Sequence, residues 1–307
     1  MSAAVEIAIA QRRCAYTRER LMRARNELRA LAPGTPWIPD AALAQADFEF
    51  ELFATRAYGI SPQSTEADGS AALHVFGLIR ISPRSDALVV SVADATLPDL
   101  IRRFLPAYRP SDPEVGGAPG LRPVEVGHRQ IALGRLDRPG RLIIEGTAPA
   151  RWRRCLAGWT DELDAAGYLA LWRTSPERLH PRELRQLRLF DSLYTRYGSH
   201  RRQVARLISG LIRRNAVFHY GAPSTCVDMW INPALDGAEI HIEWFDGPDH
   251  TTVIDLLTAP RCGLPLRVFD GGSSRLSPTY SIGLKAIDDP GVRLFLRHQV
   301  TVPGDKP

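Results

Sequence analysis

The sequence is poor in lysine, which occurs only at Lys285 and Lys306 among 307 residues. It also lacks any apolar run close to the roughly 18 residues that a membrane-spanning helix needs. Its first residues, MSAAVEIAIAQRRC, have no basic start, and Glu6 interrupts the short apolar run, which is unlike a signal peptide. These absences predict a soluble, cytoplasmic protein that does not bind a membrane.

Catalytic and metal-binding signatures are absent as well. The four cysteines are widely separated, and none forms a CxxC pair or has the spacing of a zinc site. The chain contains no GxSxG, HExxH, Walker or GxGxxG motif. We therefore predict reduced thiols, no metal and no cofactor, and we leave open whether the protein is an enzyme.

Arginine takes the place of lysine and is unevenly distributed. Of the 39 basic residues, 37 are arginine, which the codon usage of a GC-rich bacterial genome explains in part. Residues 151–214 hold fourteen Arg and six acidic residues, a balance of +8, and residues 11–32 hold seven Arg and two Glu, a balance of +5. The rest must sum to 5 − 8 − 5 = −8. Such segregation indicates basic surfaces on a nearly neutral protein.

Hydrophobic periodicity predicts an α+β fold. In the N-terminal part we expect strands at 4–10, 47–57, 72–80 and 87–93 and helices at 11–32 and 96–105. This order suggests a β/α unit of the ferredoxin-like type. The Pro/Gly-rich residues 109–122 predict a linker between an N-terminal domain, 1–108, and a second domain, 123–307.

The second domain is predicted to contain hairpin strands, central arginine-rich helices and then an antiparallel β region. The hairpin comes from PVEVGHRQIAL and RLIIEG. The helices are expected at 150–172, 181–197 and 199–214. The strand-like runs that follow are 216–221, 226–231, 238–245, 251–257, 264–269, 279–287 and 292–300.

The segment 199–214 divides into two faces on a helical wheel. Val204, Leu207, Ile208, Leu211 and Ile212 gather on an apolar side. The opposite side carries an arginine stripe flanked by Ser209 and Gly210, small residues that would let a phosphate backbone approach closely. The stripe consists of Arg202, Arg206 and Arg213.

Further candidate contacts come from the neighbouring basic helices. Tyrosines interleaved with arginines could stack on unpaired bases, which slightly favours RNA over DNA. The alternative interpretation is that the arginines solvate ordinary amphipathic helices. Two helices and a hairpin also suggest a winged helix-turn-helix. The additional candidates are Arg185, Arg188, Arg196, Tyr197, Arg18, Arg25 and Arg29.

Two pairs of residues are candidates for acid–base catalysis. His219 with Tyr220 beside the basic helix could cleave a phosphodiester without a metal. His241 and Glu243 share one face of a predicted strand, because strand side chains alternate. The alternative interpretation places the first pair in a core or interface and the second on an ordinary polar strand face.

A Gly/Ser-rich loop, GGSSRLSPTYSIGLKAI, runs from Gly271 to Ile287 and could present backbone N–H groups to phosphate. It faintly resembles the C-terminal glycine-rich loop of CRISPR-associated RNA-processing proteins, which carry ferredoxin-like domains. The spacing of its glycines differs from that family's, so we do not assign the chain to it.

The leading hypothesis is a nucleic-acid-binding protein whose arginine-rich helices contact phosphates, within a larger complex or a mobile-element or defence system. The first alternative is a phosphodiesterase or endoribonuclease. The second is a scaffold subunit whose arginines meet acidic proteins.

Overall fold

The computed structural model describes residues 2–54, 80–221, 224–234, 237–269 and 281–299. The described residues form helices and two five-stranded sheets, which confirms the α+β class. Residues 72–79 of the strand predicted at 72–80 and most of the glycine-rich loop lie outside the described residues.

The chain begins with two helices, α1 (Ala3–Thr17) and α2 (Leu21–Ala30). The strand expected at 4–10 is wrong, because this alanine-rich segment is helical and Ser2 accepts a hydrogen bond from the Val5 amide at its start. The single helix expected at 11–32 is also wrong, since Arg18 adopts a left-handed conformation with φ of 54° and ends α1.

Helix α3 (Leu43–Ala54) replaces the strand expected at 47–57, as far as the described residues reach. The alternation of Phe48, Glu49, Phe50 and Glu51 suggested one buried and one solvent-facing side. All four residues are buried, and the two glutamates are paired with arginines. The alternation therefore does not mark a solvent face. Because α3 packs against several neighbours, both its phenylalanines and its glutamates are buried.

The first sheet contains β1 (Arg80–Pro83), β2 (Leu88–Ser91), β5 (Leu121–Val126), β6 (Gln130–Arg135) and β7 (Arg141–Glu145). Its order is β1-β2-β7-β6-β5, with β2 and β7 parallel. The ferredoxin-like order is not confirmed, because helices stand where its first strand is required. The domain division at 109–122 stays a prediction, although this sheet takes strands from both sides of that segment.

A smaller sheet and three helices accompany the first sheet. Helix α4 (Leu97–Phe104) begins near its predicted position, and α5 (Pro149–Ala165) and α6 (Leu171–Thr174) follow β7. Strand β3 (Ala107–Tyr108) pairs with both β4 (Val115–Gly116) and β8 (Leu169–Ala170). The predicted linker therefore contains paired backbone.

The central basic segment forms α7 (Pro181–Tyr194), a 3-10 helix (Thr195–His200) and α8 (Arg201–Ile212). A second 3-10 helix (Asn215–His219) follows. It replaces the strand expected at 216–221. All five residues of the predicted apolar face of α8 are buried in the core, which confirms that face.

The second sheet contains β9 (Ser224–Ala234), β10 (Gly237–Asp246), β11 (Leu266–Val268), β12 (Ser281–Ala286) and β13 (Val292–Gln299), in the order β11-β12-β13-β10-β9. Most pairs are antiparallel, as predicted, but β10 and β13 run parallel. Helix α9 (His250–Thr258) replaces the strand expected at 251–257, because Asp249 caps it through the Thr252 amide at 2.8 Å. No helix among the described residues is long and apolar enough to cross a membrane.

Candidate functional site

The carboxyl-terminal end of α8 is buried, so the predicted exposure of Arg213 is wrong. Arg213 is fully buried and forms a bidentate ion pair with Glu49 of α3, at 2.6 Å for Nη2–Oε1 and 3.0 Å for Nε–Oε2. Its Nη1 also donates to the Pro39 carbonyl at 2.9 Å. This arginine holds α3 and the preceding loop to α8 and is inaccessible to a phosphate.

The two small residues of α8 serve the same interior contact. Ser209 donates its hydroxyl to Glu49 at 2.5 Å. A Cβ added at Gly210 would lie 2.4 Å from Leu264 Cδ2. Close approach does occur here, as the residue sizes suggested, but the approaching groups are α3 and Leu264.

Arg214 is also buried and spans three segments. Its guanidinium donates to the carbonyls of Cys262, Gly210 and Ile38. Burial lowers the pKa of Arg214 to about 10, so the side chain stays charged near neutral pH. The five donors of a guanidinium lie in a fixed planar fork that lets one side chain join several loops, whereas the ammonium group of lysine has three donors at a single point.

Two further arginines repeat this arrangement elsewhere in the fold. Arg13 pairs with Glu19 and donates to the Trp37 carbonyl at 2.5 Å. Arg122 pairs with Glu183 at 2.9 Å and 3.0 Å and donates to the Ser175 carbonyl. Part of the arginine content therefore consists of interior residues with carboxylate and carbonyl partners.

The N-terminal candidates mostly stabilise the first helix pair. Arg25 and Arg29 of α2 both bind Glu6 of α1, at 3.2 Å and 2.8 Å. Hydrogen bonds from Arg29 and Arg25 lower the pKa of Glu6. Arg18 is half-buried at the end of α1, where burial lowers its pKa. These three residues do not form a free basic face.

A different group of arginines stays exposed in the central segment. These five side chains make no hydrogen bond or ion pair with the residues that the structure describes. All were candidate phosphate contacts in the sequence, and we call them the arginine face. The arginine face consists of Arg185 and Arg188 on α7, Arg196 on the 3-10 helix, and Arg202 and Arg206 on α8.

Acidic residues do little to neutralise the arginine face. Residues 178–214 contain only two, Glu183 and Asp191. Glu183 is fully buried against Arg122, and Asp191 lies 3.6 Å from Arg201. The exposed surface of this segment is therefore strongly positive.

The tyrosines of this segment are not available for base stacking. Tyr194 is 3% exposed and Tyr197 is 5% exposed, and their rings stack on each other at 6.3 Å between centroids. Arg201 covers the Tyr194 ring at 5.4 Å. The prediction that Tyr197 contacts a base is wrong in this structure, since the helical faces that carry the tyrosines point into the core.

The winged-helix alternative fails for a similar reason. A recognition helix must project from the protein to enter a groove. In α8, residues 204–205 and 207–212 are buried, and α3 packs along the helix. The exposed residues of this helix are Arg202 and Arg206.

The first catalytic pair is split between interior and surface. His219 is 6% exposed and lies in a 3-10 helix, where its Nδ1 accepts a hydrogen bond from the Ser224 amide at 3.2 Å. Tyr220 is 45% exposed. This arrangement supports the interpretation of His219 as a core residue.

The second catalytic pair does lie on one face of β10, as predicted. His241 is buried between the rings of Trp230 and Phe295, with centroid distances of 5.2 Å and 5.0 Å. Its Nε2 lies 3.6 Å from Glu239, and burial lowers its pKa. Glu243 instead accepts a hydrogen bond from Gln299 and lies 3.2 Å from Arg297. Sequence reasoning missed Trp230 and Phe295, because strand register decides which rings are neighbours.

Within the described residues, no group of three His, Cys, Asp or Glu side chains is arranged to hold a metal ion. Comparisons with protein-family models, with curated proteins and with solved structures found no match to this chain. The functional argument therefore depends on the geometry of its own residues.

Proposed function

We propose that the protein binds nucleic acid through the arginine face. One observation carries the proposal: the buried arginines described above are paired with carboxylates or carbonyls, whereas the five arginines of this face are exposed and have no hydrogen-bond or ion-pair partner among the residues that the structure describes. An exposed guanidinium offers a planar fork that matches phosphate oxygens.

The five arginines of the face follow one another along α7, the 3-10 helix and α8. Arg185 and Arg188 are three residues apart on α7, and Arg202 and Arg206 are four apart on α8, so each pair occupies one side of its helix. The contact between Arg201 and Asp191 joins the start of α8 to the end of α7. Arg196 lies on the 3-10 helix between them.

Phosphate contacts of this kind predict a steep dependence of binding on salt. Each neutralised phosphate lowers the slope of log K against log salt by about 0.9 for duplex DNA and about 0.7 for a single strand. The test is titration of labelled RNA and DNA at several salt concentrations. Binding that weakens steeply with salt supports the proposal, and no salt-sensitive binding to any of the probes would refute it.

A protein partner is the second candidate, and one observation favours it. Leu184 and Leu189 on α7 are 40% and 56% exposed beside Arg185 and Arg188. Exposed leucines among arginines suit a partner with apolar and acidic groups. Affinity purification from the native source with nuclease treatment distinguishes the candidates. Partners that survive nuclease and depend on Leu189 favour a protein partner.

A further inference from the structure

Three rings stand in register across the outer face of the second sheet. Trp230 on β9 and Phe295 on β13 both pair with His241 on β10. The Trp230 and His241 rings are parallel within 2°, and the His241 and Phe295 rings within 16°. The centroid spacings of 5.2 Å and 5.0 Å match the distance between neighbouring strands. We call this row the ring ladder.

The two ends of the ring ladder differ. At the Phe295 end, Phe269 packs edge-on at 6.1 Å and covers Gly283, and Lys285 lies 5.6 Å from the Phe269 ring. At the other end, Trp230 is half-buried and lies on β9, the edge strand of the sheet. None of the described residues stacks on the side of Trp230 away from His241.

Charges around the ring ladder are nearly balanced. Glu243 lies 3.2 Å from Arg297, and Glu239 lies 3.7 Å from Arg293. This face is therefore a poor anion site by itself and offers an aromatic surface for stacking. Every nucleobase has a π-face, so stacking on tryptophan tolerates any sequence.

The ring ladder and the arginine face belong to elements that contact each other. The 3-10 helix that carries Arg196 packs against β9 and β10, and its His200 binds Asp289 at 2.8 Å. Asp289 precedes β13, whose first residue pairs with Ala238 of β10. His241 lies three residues beyond Ala238, about 10 Å along the strand. The ladder therefore crosses the sheet about three residues from the strand end beside Asp289.

We propose that the protein binds single-stranded nucleic acid, with its phosphates on the arginine face and one unpaired base stacked on Trp230 as the next member of the ring ladder. This inference rests on the proposed function and adds to it a strand class and a base site. A duplex holds its bases within its own stack, so it would use the arginine face alone.

The test measures the affinity of a fluorescein-labelled single-stranded oligonucleotide of about 12 nucleotides, as RNA and as DNA, and of the same strand in a duplex. The variants are Trp230→Ala and Trp230→Phe. Trp159→Ala is the matched control, because Trp159 is also half-buried but lies on α5. Thermal unfolding of each variant checks that it is folded.

Trp230→Ala should weaken single-strand binding about tenfold or more and leave duplex binding unchanged. Trp230→Phe should stay close to the parent, and Trp159→Ala should match it. Equal affinity of Trp230→Ala and the parent for the single strand would overturn the base site. If Trp230→Ala lost affinity equally for both strand types, the inference would also fail. In both outcomes the proposed function stands, provided that substitution of Arg202 and Arg206 weakens binding. A parent protein that binds neither strand type would overturn both.

Discussion

Arg202 lies near the start of α8 and Arg213 directly follows its last residue, on the same side of the helical wheel, yet their environments are opposite. Arg202 is exposed without a partner in the described residues, and Arg213 is fully buried in an ion pair with Glu49. A helical wheel does not show the position of a residue along the helix axis, and of the three arginines in the stripe only Arg213 has an ion pair with α3. Arginine in this chain therefore has two uses: joining elements inside the fold, and presenting charge at its surface.

Replacing an arginine that joins elements inside the fold should have the largest effect on stability. We expect Arg213→Met to lower the free energy of unfolding by about 3–5 kcal/mol, because Glu49 is left buried without its partner. Urea unfolding measures the change. Arg202→Met makes the same chemical change at the exposed end, and should cost no more than about 0.5 kcal/mol. Similar losses of unfolding free energy at both positions would contradict the assignment of Arg213 to the interior and Arg202 to the surface.

A smaller loss is expected from Ser209→Ala. The change removes a hydrogen bond to the buried Glu49 carboxylate, and hydrogen bonds to charged groups contribute about 1.5–3 kcal/mol. Ser199→Ala, at an exposed position in the 3-10 helix, is the control and should leave the urea midpoint unchanged. A neutral Ser209→Ala would mean that the serine does not support the interior ion pair.

Histidine extends the comparison to a group that titrates near neutral pH. Burial lowers the pKa of His241, so the folded chain holds fewer protons there than the unfolded chain. The contribution of His241 to stability is therefore complete above its unfolded pKa, near 6.5, and is lost progressively as the pH falls. His241→Phe should flatten the pH dependence of stability between about pH 7 and 5. Thermal unfolding across this range should show no such change in His128→Gln, since His128 is exposed. A parent-like profile in His241→Phe would contradict the burial argument.

Much of the fold followed from the sequence, and the failures have physical causes. The apolar face of α8 was predictable because five residues share one helical side and all pack in the core. Residues 251–257 look like a strand locally, but the Asp249 cap and packing of Val253 and Leu257 select a helix. The alternation in α3 misled because Glu49 and Glu51 are buried with distant arginines, which no local pattern reveals.

The candidate site was predictable in part. Five arginines of the central basic segment are exposed, as expected from the sequence. They are Arg185, Arg188, Arg196, Arg202 and Arg206. Tyr197 and Arg213 are buried by contacts with the core and with α3. These contacts depend on where each residue lies along its helix, which the sequence pattern does not reveal. The ring ladder depends on the register of β9, β10 and β13, which a one-residue shift would destroy.

The double substitution Arg202→Ala with Arg206→Ala should have the smallest effect on stability. It also tests most directly whether the arginine face binds nucleic acid. The matched control is Arg103→Ala with Arg129→Ala, two exposed arginines outside the arginine face. The measurement is the slope of log K against log salt for a labelled oligonucleotide. We predict that the first pair makes the slope shallower by about 1.4 for a single strand or about 1.8 for a duplex and weakens binding, at a cost in stability within about 0.5 kcal/mol. The control pair should keep the parent slope. Equal slopes in the parent and in the Arg202 and Arg206 variant would contradict the account.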